Sequence, residues 1–298
     1  MENIQEEKTE NIQQNGKMSM MFLLFEEKGE MPSEEVIYEK LTEKGYKVNA
    51  EWEANNKSMR VFYLPEHTVD FKDAKGVPYQ LTMLDYSEYS KPHGDTLART
   101  QFWYTPNGVE LLDSCTWQVM IGDFVSTAHP PKIRAQLLSD WLIIALDLFP
   151  ACKAVWFESS QNIMTTEALR ANPYEGIKRI FYGAVNARFF RVGNTDDMVV
   201  DTLGLHTLGL PDVQFHYRGL NPNDVVRMAY DIAIYQFEND LPIKDGETVG
   251  GFDADSGELN DTRWKCQYEI SLIEPKREVL DINAGDYAAG NRNKNADT

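Results

Sequence analysis

The chain has 298 residues, 42% of them apolar, enough to bury a substantial core as one large domain or two intimate ones. Its 47 acidic residues against 29 basic ones leave a formal charge of −18. That excess repels phosphate backbones and anionic lipid surfaces, so neither a nucleic acid nor a membrane is an expected partner.

The first seventeen residues repeat Glu-Asn-Ile-Gln at Glu2–Gln5 and Glu10–Gln13 and lack aromatics and periodicity. A disordered tail over 1–17 is expected, and this polar, acidic start has neither the basic region nor the apolar core of a secretory signal. "SMMFLLFEE" reads as a buried strand. A helix follows from Ser33, a good N-cap, with Glu34 and Glu35 at its positive end, Val36, Ile37, Lys40 and Leu41 inward, and Gly45 as terminator. "YKVNAEWEA" and "MRVFYL" alternate as strands around a turn at Asn55-Asn56, and "YQLTMLDY" adds another. The polar stretch "SEYSKPHGD" (87–95) is the candidate internal boundary, which divides an N-terminal α+β subdomain (18–92) from a main α+β domain (93–282).

"CTWQVMIGDF" reads as a strand. Pro131 then suits the first turn of a helix, and Ile133, Leu137, Trp141, Ile144 and Leu148 recur at helical spacing, widened by Leu138, Leu142 and Ala145. "WLIIALDLF" is too short to span a bilayer and is broken by Asp147. "KAVWFES" is a returning strand, "TTEALRA" a helical piece, and "IFYGAVNARFFRV" one long strand. Asn221 and Pro222 open a helix through Glu238, with Asp224 placed as in a capping box. "ETVGGF", "WKCQYEISLI" and "EVLDI" close the strands, and an irregular tail is expected over 283–298. Strand runs interrupted by about three main helices, without regular βαβ alternation, predict an α+β fold of antiparallel-rich mixed sheets.

Few motifs carry chemistry. In "VDTLGLHTLGLPDVQFHYRGLNPNDV" (200–225), Asp201, His206, Asp212 and His216 are the candidate acid/base or metal residues. They lack an HExxH or HxH spacing, whereas Gly204, Gly209 and Pro211 suit a bend anchored by Leu203, Leu205, Leu208 and Leu210. The bend is the preferred reading, and no metal is expected. "DADSGELNDTRW" has Glu258 and Trp264 where a calcium loop needs Gly and Glu, so an acidic hairpin loop is expected. "GDYAAGNR" lacks the Lys-Ser/Thr of a phosphate loop. Three scattered cysteines, Cys115, Cys152 and Cys266, form no CxxC pair and read as core residues, and no cofactor is expected. Five of the six tryptophans, at 103, 117, 141, 156 and 264, suit a core better than a ligand groove. Arg263, Lys276 and Arg277, alternating with Glu269, Glu274 and Glu278, read as a salt-bridged solvated face.

The runs "MVVDTLGLHTLGLPDVQFHYRGLNPNDVV", "YQFENDLPIKDGETVGG" and "WKCQYEISLIEPKREVLDI" resemble the bacterial family called domain of unknown function 4261, whose named segment would span about 198–282 here. "FWYTPNGVELLDSC", "KAVWFESS" and "FYGAVNARFF" resemble the region that accompanies it. The resemblance implies a bacterial, cytoplasmic protein and supplies no activity or catalytic residue. Acidity, abundant aromatics and the absence of a complete catalytic motif then suit a non-enzymatic interaction protein for a basic partner, toxin-immunity proteins being one example of that physics. The alternative is an enzyme with a non-local site around Asp201, His206, Asp212 and His216.

Overall fold

The computed structural model describes residues 16–49, 58–89 and 93–290. In chain order the elements are β1 (Met20–Phe25), α1 (Glu34–Glu43), β2 (Met59–Val69), β3 (Val77–Leu84), β4 (Ser87–Glu88), α2 (Gly108–Ser114), β5 (Trp117–Phe124), α3 (Pro131–Leu148), β6 (Ala154–Phe157), β7 (Asn162–Thr165), α4 (Thr166–Arg170), α5 (Phe181–Ala184), β8 (Asn186–Arg191), β9 (Met198–Leu203), β10 (Asp212–Tyr217), α6 (Pro222–Glu238), β11 (Thr248–Phe252), β12 (Leu259–Ile270) and β13 (Glu278–Asn283). The fold is α+β, and its three long helices are the three expected ones.

Two sheets carry the structure. The first runs β2-β3-β5-β1-β6-β7, with β4 also on β5, and all its pairings are antiparallel. It takes strands from both sides of the break expected near residue 92. β1 pairs with β5 and β6 because its apolar residues alternate between two cores, leaving no separate sheet for 18–92. The second sheet runs β11-β12-β13-β10-β9-β8, antiparallel except for the parallel pair β10–β13.

Helix α3 begins at Pro131, whose missing N–H falls where no intrahelical partner exists anyway. It is buried nearly all round, as a helix apolar on most faces must be. It packs on β5 of the first sheet and touches α6, which in turn packs on β8, β9 and β10. The layers are therefore sheet, helix, helix, sheet, around one main core. A smaller core, with Trp156, Phe102 and Leu112, lies between the other face of the first sheet and the segment that carries α2.

Several expectations need correction. "IFYGAVNARFFRV" is a strand only from Asn186, because the chain turns at Gly183 (φ +116), where a Cβ would strike the Phe157 ring. At the α6 start the Asn221 side chain accepts from the Asn223 N–H (3.0 Å), but Asp224 pairs with Arg227 (3.0 Å) and completes no capping box. In α1, Ile37 and Leu41 are buried while Val36 is exposed, and Lys40 reaches out to Glu43. The expected 1–17 tail is outside the described residues up to 15, but Lys17 belongs to the fold: its carbonyl accepts from the Arg134 guanidinium (2.8 Å). The expected 283–298 tail is packed over its described part, 283–290. Ala288 bridges to Tyr217, the Ala289 N–H donates to the His216 carbonyl (2.9 Å), and both alanines are buried. The expected turn at Asn55-Asn56 and most of "YKVNAEWEA" lie outside the described residues; Asn49 bridges to Tyr63.

Candidate functional site

The stretch 200–225 folds as a bend. β9 ends at Leu203, Gly204 turns the chain at φ +140, Leu205–Leu208 make one 3-10 turn, and Gly209 leaves it left-handed at φ +79. At Gly204 a Cβ would fall on the Ala184 carbonyl oxygen, so both conformation and space call for glycine. Leu203, Leu205, Leu208 and Leu210 are all buried and hold the bend to the core.

The bend brings three of the four candidate residues together. Asp201 receives the Arg188 fork, Nε to Oδ1 at 2.9 Å and Nη2 to Oδ2 at 2.6 Å. Arg277 donates from Nη2 to Asp201 Oδ2 (2.8 Å) and from Nε to Asp212 Oδ2 (2.9 Å), joining the two carboxylates. Asp212 also accepts from the Thr202 hydroxyl (3.1 Å) and the Leu205 N–H (3.2 Å), and lies 3.2 Å from His206 Nδ1. His216 lies four residues further along β10, beside Asp197 (3.8 Å), which Arg218 also holds. Arg277 therefore leaves the solvated face expected of it: it is buried, and its remaining donors reach the carbonyls of Thr202 (2.5 Å) and Pro275 (2.9 Å). Sequence separations of 65 and 76 residues to its carboxylates hide this partnership from local patterning.

Strand register makes the arrangement. Arg188, Asp201, Gln214 and Asp281 stand directly opposite one another on β8, β9, β10 and β13, all buried. One position along, Phe189, Val200, Phe215, Ile282 and Cys266 form the apolar row on the other face, toward α6. The loop 271–277 covers the polar row: the Leu272 N–H donates to Gln214 Oε1 (2.7 Å), and Arg188 Nη1 to the Glu274 carbonyl (2.9 Å).

Burial alone would push the Asp212 carboxyl up. The Arg277 charge and the His206 contact outweigh it and hold the group at about 2. Burial pulls the Arg277 guanidinium down, and the charges of Asp212 and Asp201 more than offset that. Two carboxylates face two guanidiniums, their oxygens are engaged, and both aspartates are 0% exposed. Such a set fixes the bend and the 271–277 loop; its carboxylates are closed to a dissolved molecule. Among the described residues no three His, Cys, Asp or Glu side chains are grouped to hold a metal ion. Burial pushes the Cys152 and Cys266 thiols up to about 11, far from a reactive thiolate. Trp141, Trp156 and Trp264 are core residues, whereas Trp103 is exposed.

A second buried pair joins the two halves. Arg134 on α3 donates to Asp123 of β5 (2.7 Å), to the Thr207 carbonyl in the bend (2.6 Å) and to Lys17. Asp123 also accepts from the Ser19 N–H (2.7 Å) and the Tyr79 hydroxyl (3.0 Å).

An open groove of about 610 Å³ lies elsewhere, between α6 and β11. Its apolar lining includes Met228, Ile232 and Tyr235 from α6, Val249 and Phe252 from β11, and Leu259 at the start of β12. Tyr235 and Leu259 are 50% and 79% exposed, unusual for large apolar side chains gathered around one depression. Asp224, Asp231 and Glu247 supply three carboxylates against the single guanidinium of Arg227, which is already paired to Asp224. The turn 253–258 closes one end: Arg227 donates to the Gly257 carbonyl (2.9 Å), and Asp253 caps the turn through the N–H groups of Asp255 (3.1 Å) and Ser256 (2.9 Å). The acidic hairpin loop expected over "DADSGELNDTRW" is confined to 253–258, and 259–264 already belong to β12. Sequence reasoning missed the groove because its residues read singly as ordinary helix and strand positions. The sequence signal was "ETVGGF", whose paired glycines strip side chains from a strand beside an amphipathic helix.

Comparison with curated proteins and with solved structures gives no match to either. A family model does match, over residues 201–283, a segment that opens at Asp201, contains the bend, α6 and the groove, and ends with β13. The matching model is the one described as Domain of unknown function (DUF4261), and it is this segment of the chain that resembles it.

Proposed function

We propose that this protein is a non-enzymatic interaction module, and that the α6–β11 groove receives a basic segment of a protein partner. The observation that carries this reading is the composition of the groove: exposed apolar side chains on its walls, with three carboxylates against one paired guanidinium. Apolar walls supply the burial that drives association, and the surplus negative charge selects for lysine and arginine and speeds encounter. The overall charge of −18 extends the same preference over the whole surface. The buried aspartates support the reading from the other side, because their oxygens are engaged inside the fold.

The test is fluorescence anisotropy with two labelled peptides, one alternating lysine with valine and one alternating glutamate with valine. Saturable binding of the basic peptide alone is expected, weakened about fivefold or more by Asp231→Lys and again by Glu247→Lys. Equal binding of both peptides, or binding indifferent to both substitutions, overturns the reading.

A further inference from the structure

Resting on that reading, we infer that the occupant enters the groove as an extended strand and pairs, backbone to backbone, with the free edge of β11. Among the described residues β11 is the last strand of its sheet, hydrogen-bonded on one side only, to β12. Side chains of a strand alternate between two faces, so a groove lying over one face would be bordered by every second residue. Here Thr248, Val249 and Gly250 border it consecutively. The groove therefore runs along the edge of the strand, where its unpaired N–H and C=O groups point.

The two glycines of "ETVGGF" act differently. At Gly250 a Cβ would make one ordinary contact, with Arg263 Nη1 at 3.9 Å, and no other within 4 Å, so that stretch of backbone is only lightly covered. At Gly251 a Cβ would meet the Trp264 ring at 2.8 Å, and the pairing register shifts between Gly250 and Phe252. This bulge ends the regular edge at Gly250 and tucks the strand against the core beyond it. Thr248–Gly250 is thus a short open template, which suits one added segment rather than sheet-to-sheet aggregation. An added strand would turn alternate side chains toward Met228, Ile232 and Tyr235 on α6. The side chains between them would face the opposite way, and lysine or arginine in the segment would answer Asp231 and Glu247. Main-chain bonds would give affinity and the α6 wall would give the sequence preference, as in other strand additions.

The deciding experiment uses the lysine–valine peptide in three forms: unmodified, N-methylated at every second residue, and N-methylated at the residues in between. N-methylation removes the amide donors along one edge of the peptide and leaves its charges and side chains in place. Strand addition predicts that one methylated form loses affinity about tenfold or more while the other stays within about twofold. It also predicts slowed hydrogen exchange over 248–252 with the unmodified peptide. If the unmodified peptide binds, responds to Asp231→Lys, and both methylated forms bind as well as it does, strand addition is overturned while the basic-segment reading stands. If the unmodified peptide shows no saturable binding, both fail together.

Discussion

Replacing Arg277 by methionine tests whether the charges under the 271–277 loop hold the second half together. The substitution keeps an unbranched apolar stem and removes every donor. Asp201 retains the Arg188 fork, but Asp212 loses its one guanidinium and keeps the Thr202 hydroxyl, the Leu205 N–H and His206. The Thr202 and Pro275 carbonyls lose a donor as well. Breaking a buried pair by removing one partner costs about 3–5 kcal/mol, so the urea midpoint at pH 7 should fall by that equivalent. The pH dependence is the sharper readout. In the wild type Asp212 sits at about 2, below its unfolded value of 3.8, so its contribution is complete above 3.8 and disappears only as pH falls through about 2. Between pH 7 and 5 it is constant. In the variant, burial without the guanidinium raises the carboxyl above its unfolded value. The folded variant then takes up a proton, in a window above 3.8, that the unfolded chain does not, and its stability rises as pH falls. The gap between the two proteins should therefore narrow by about 1 kcal/mol from pH 7 to pH 5, and adding Asp212→Asn to the variant should abolish that narrowing. A gap below about 1 kcal/mol at pH 7, or one that stays constant or widens on acidification, would refute the reasoning.

Two further perturbations address the core and the bend. Trp141→Ala should cost about 3–5 kcal/mol by urea denaturation, since the ring is fully buried against Phe62 (5.4 Å between centroids) and donates to the Thr82 carbonyl (3.1 Å); a loss under about 1 kcal/mol would mean the helix does not organise the core. Gly204→Ala should lower the midpoint more than His206→Ala, because the first forces a Cβ onto the Ala184 carbonyl at a strained φ, whereas the second leaves Asp212 with Arg277 and its backbone donors. The reverse order, with metal lost alongside His206, would restore the metal-site alternative for the bend.

Local chemistry was readable where a single residue decides the outcome. Ser33, Pro131 and Asn221-Pro222 mark where the three long helices begin, and Gly204, Gly209 and Pro211 mark the bend. Patterning failed where the outcome depends on residues far apart. Arg277 sits in a run of alternating charges that is locally indistinguishable from a solvated face, and only the approach of β9 and β10 turns it inward. Arg188 carried a faint signal, a guanidinium inside the otherwise apolar "NARFF". The break near residue 92 looks like a boundary in composition, yet β5 inserts between β1 and β3 across it. Of the four candidates, Asp201, His206 and Asp212 lie together and His216 lies apart beside Asp197; what the three face was not legible, because the arginines come from outside the stretch.

The polar row across β8, β9, β10 and β13 has a consequence for how the chain finds its fold. Side chains alternate with a period of two, so a slip of one residue in any of these strands would carry Arg188, Asp201, Gln214 or Asp281 into the apolar layer beneath α6 and leave its partners behind. Most sheets penalise misregistration by exposing a hydrophobic residue, a graded and modest cost. Here the penalty for a misaligned strand includes a stranded charge in a dry interior, several kcal/mol at once. The arrangement works as an alignment check on four strands that reach one another from as far apart as residues 186 and 283, and it discriminates against near-native pairings of them.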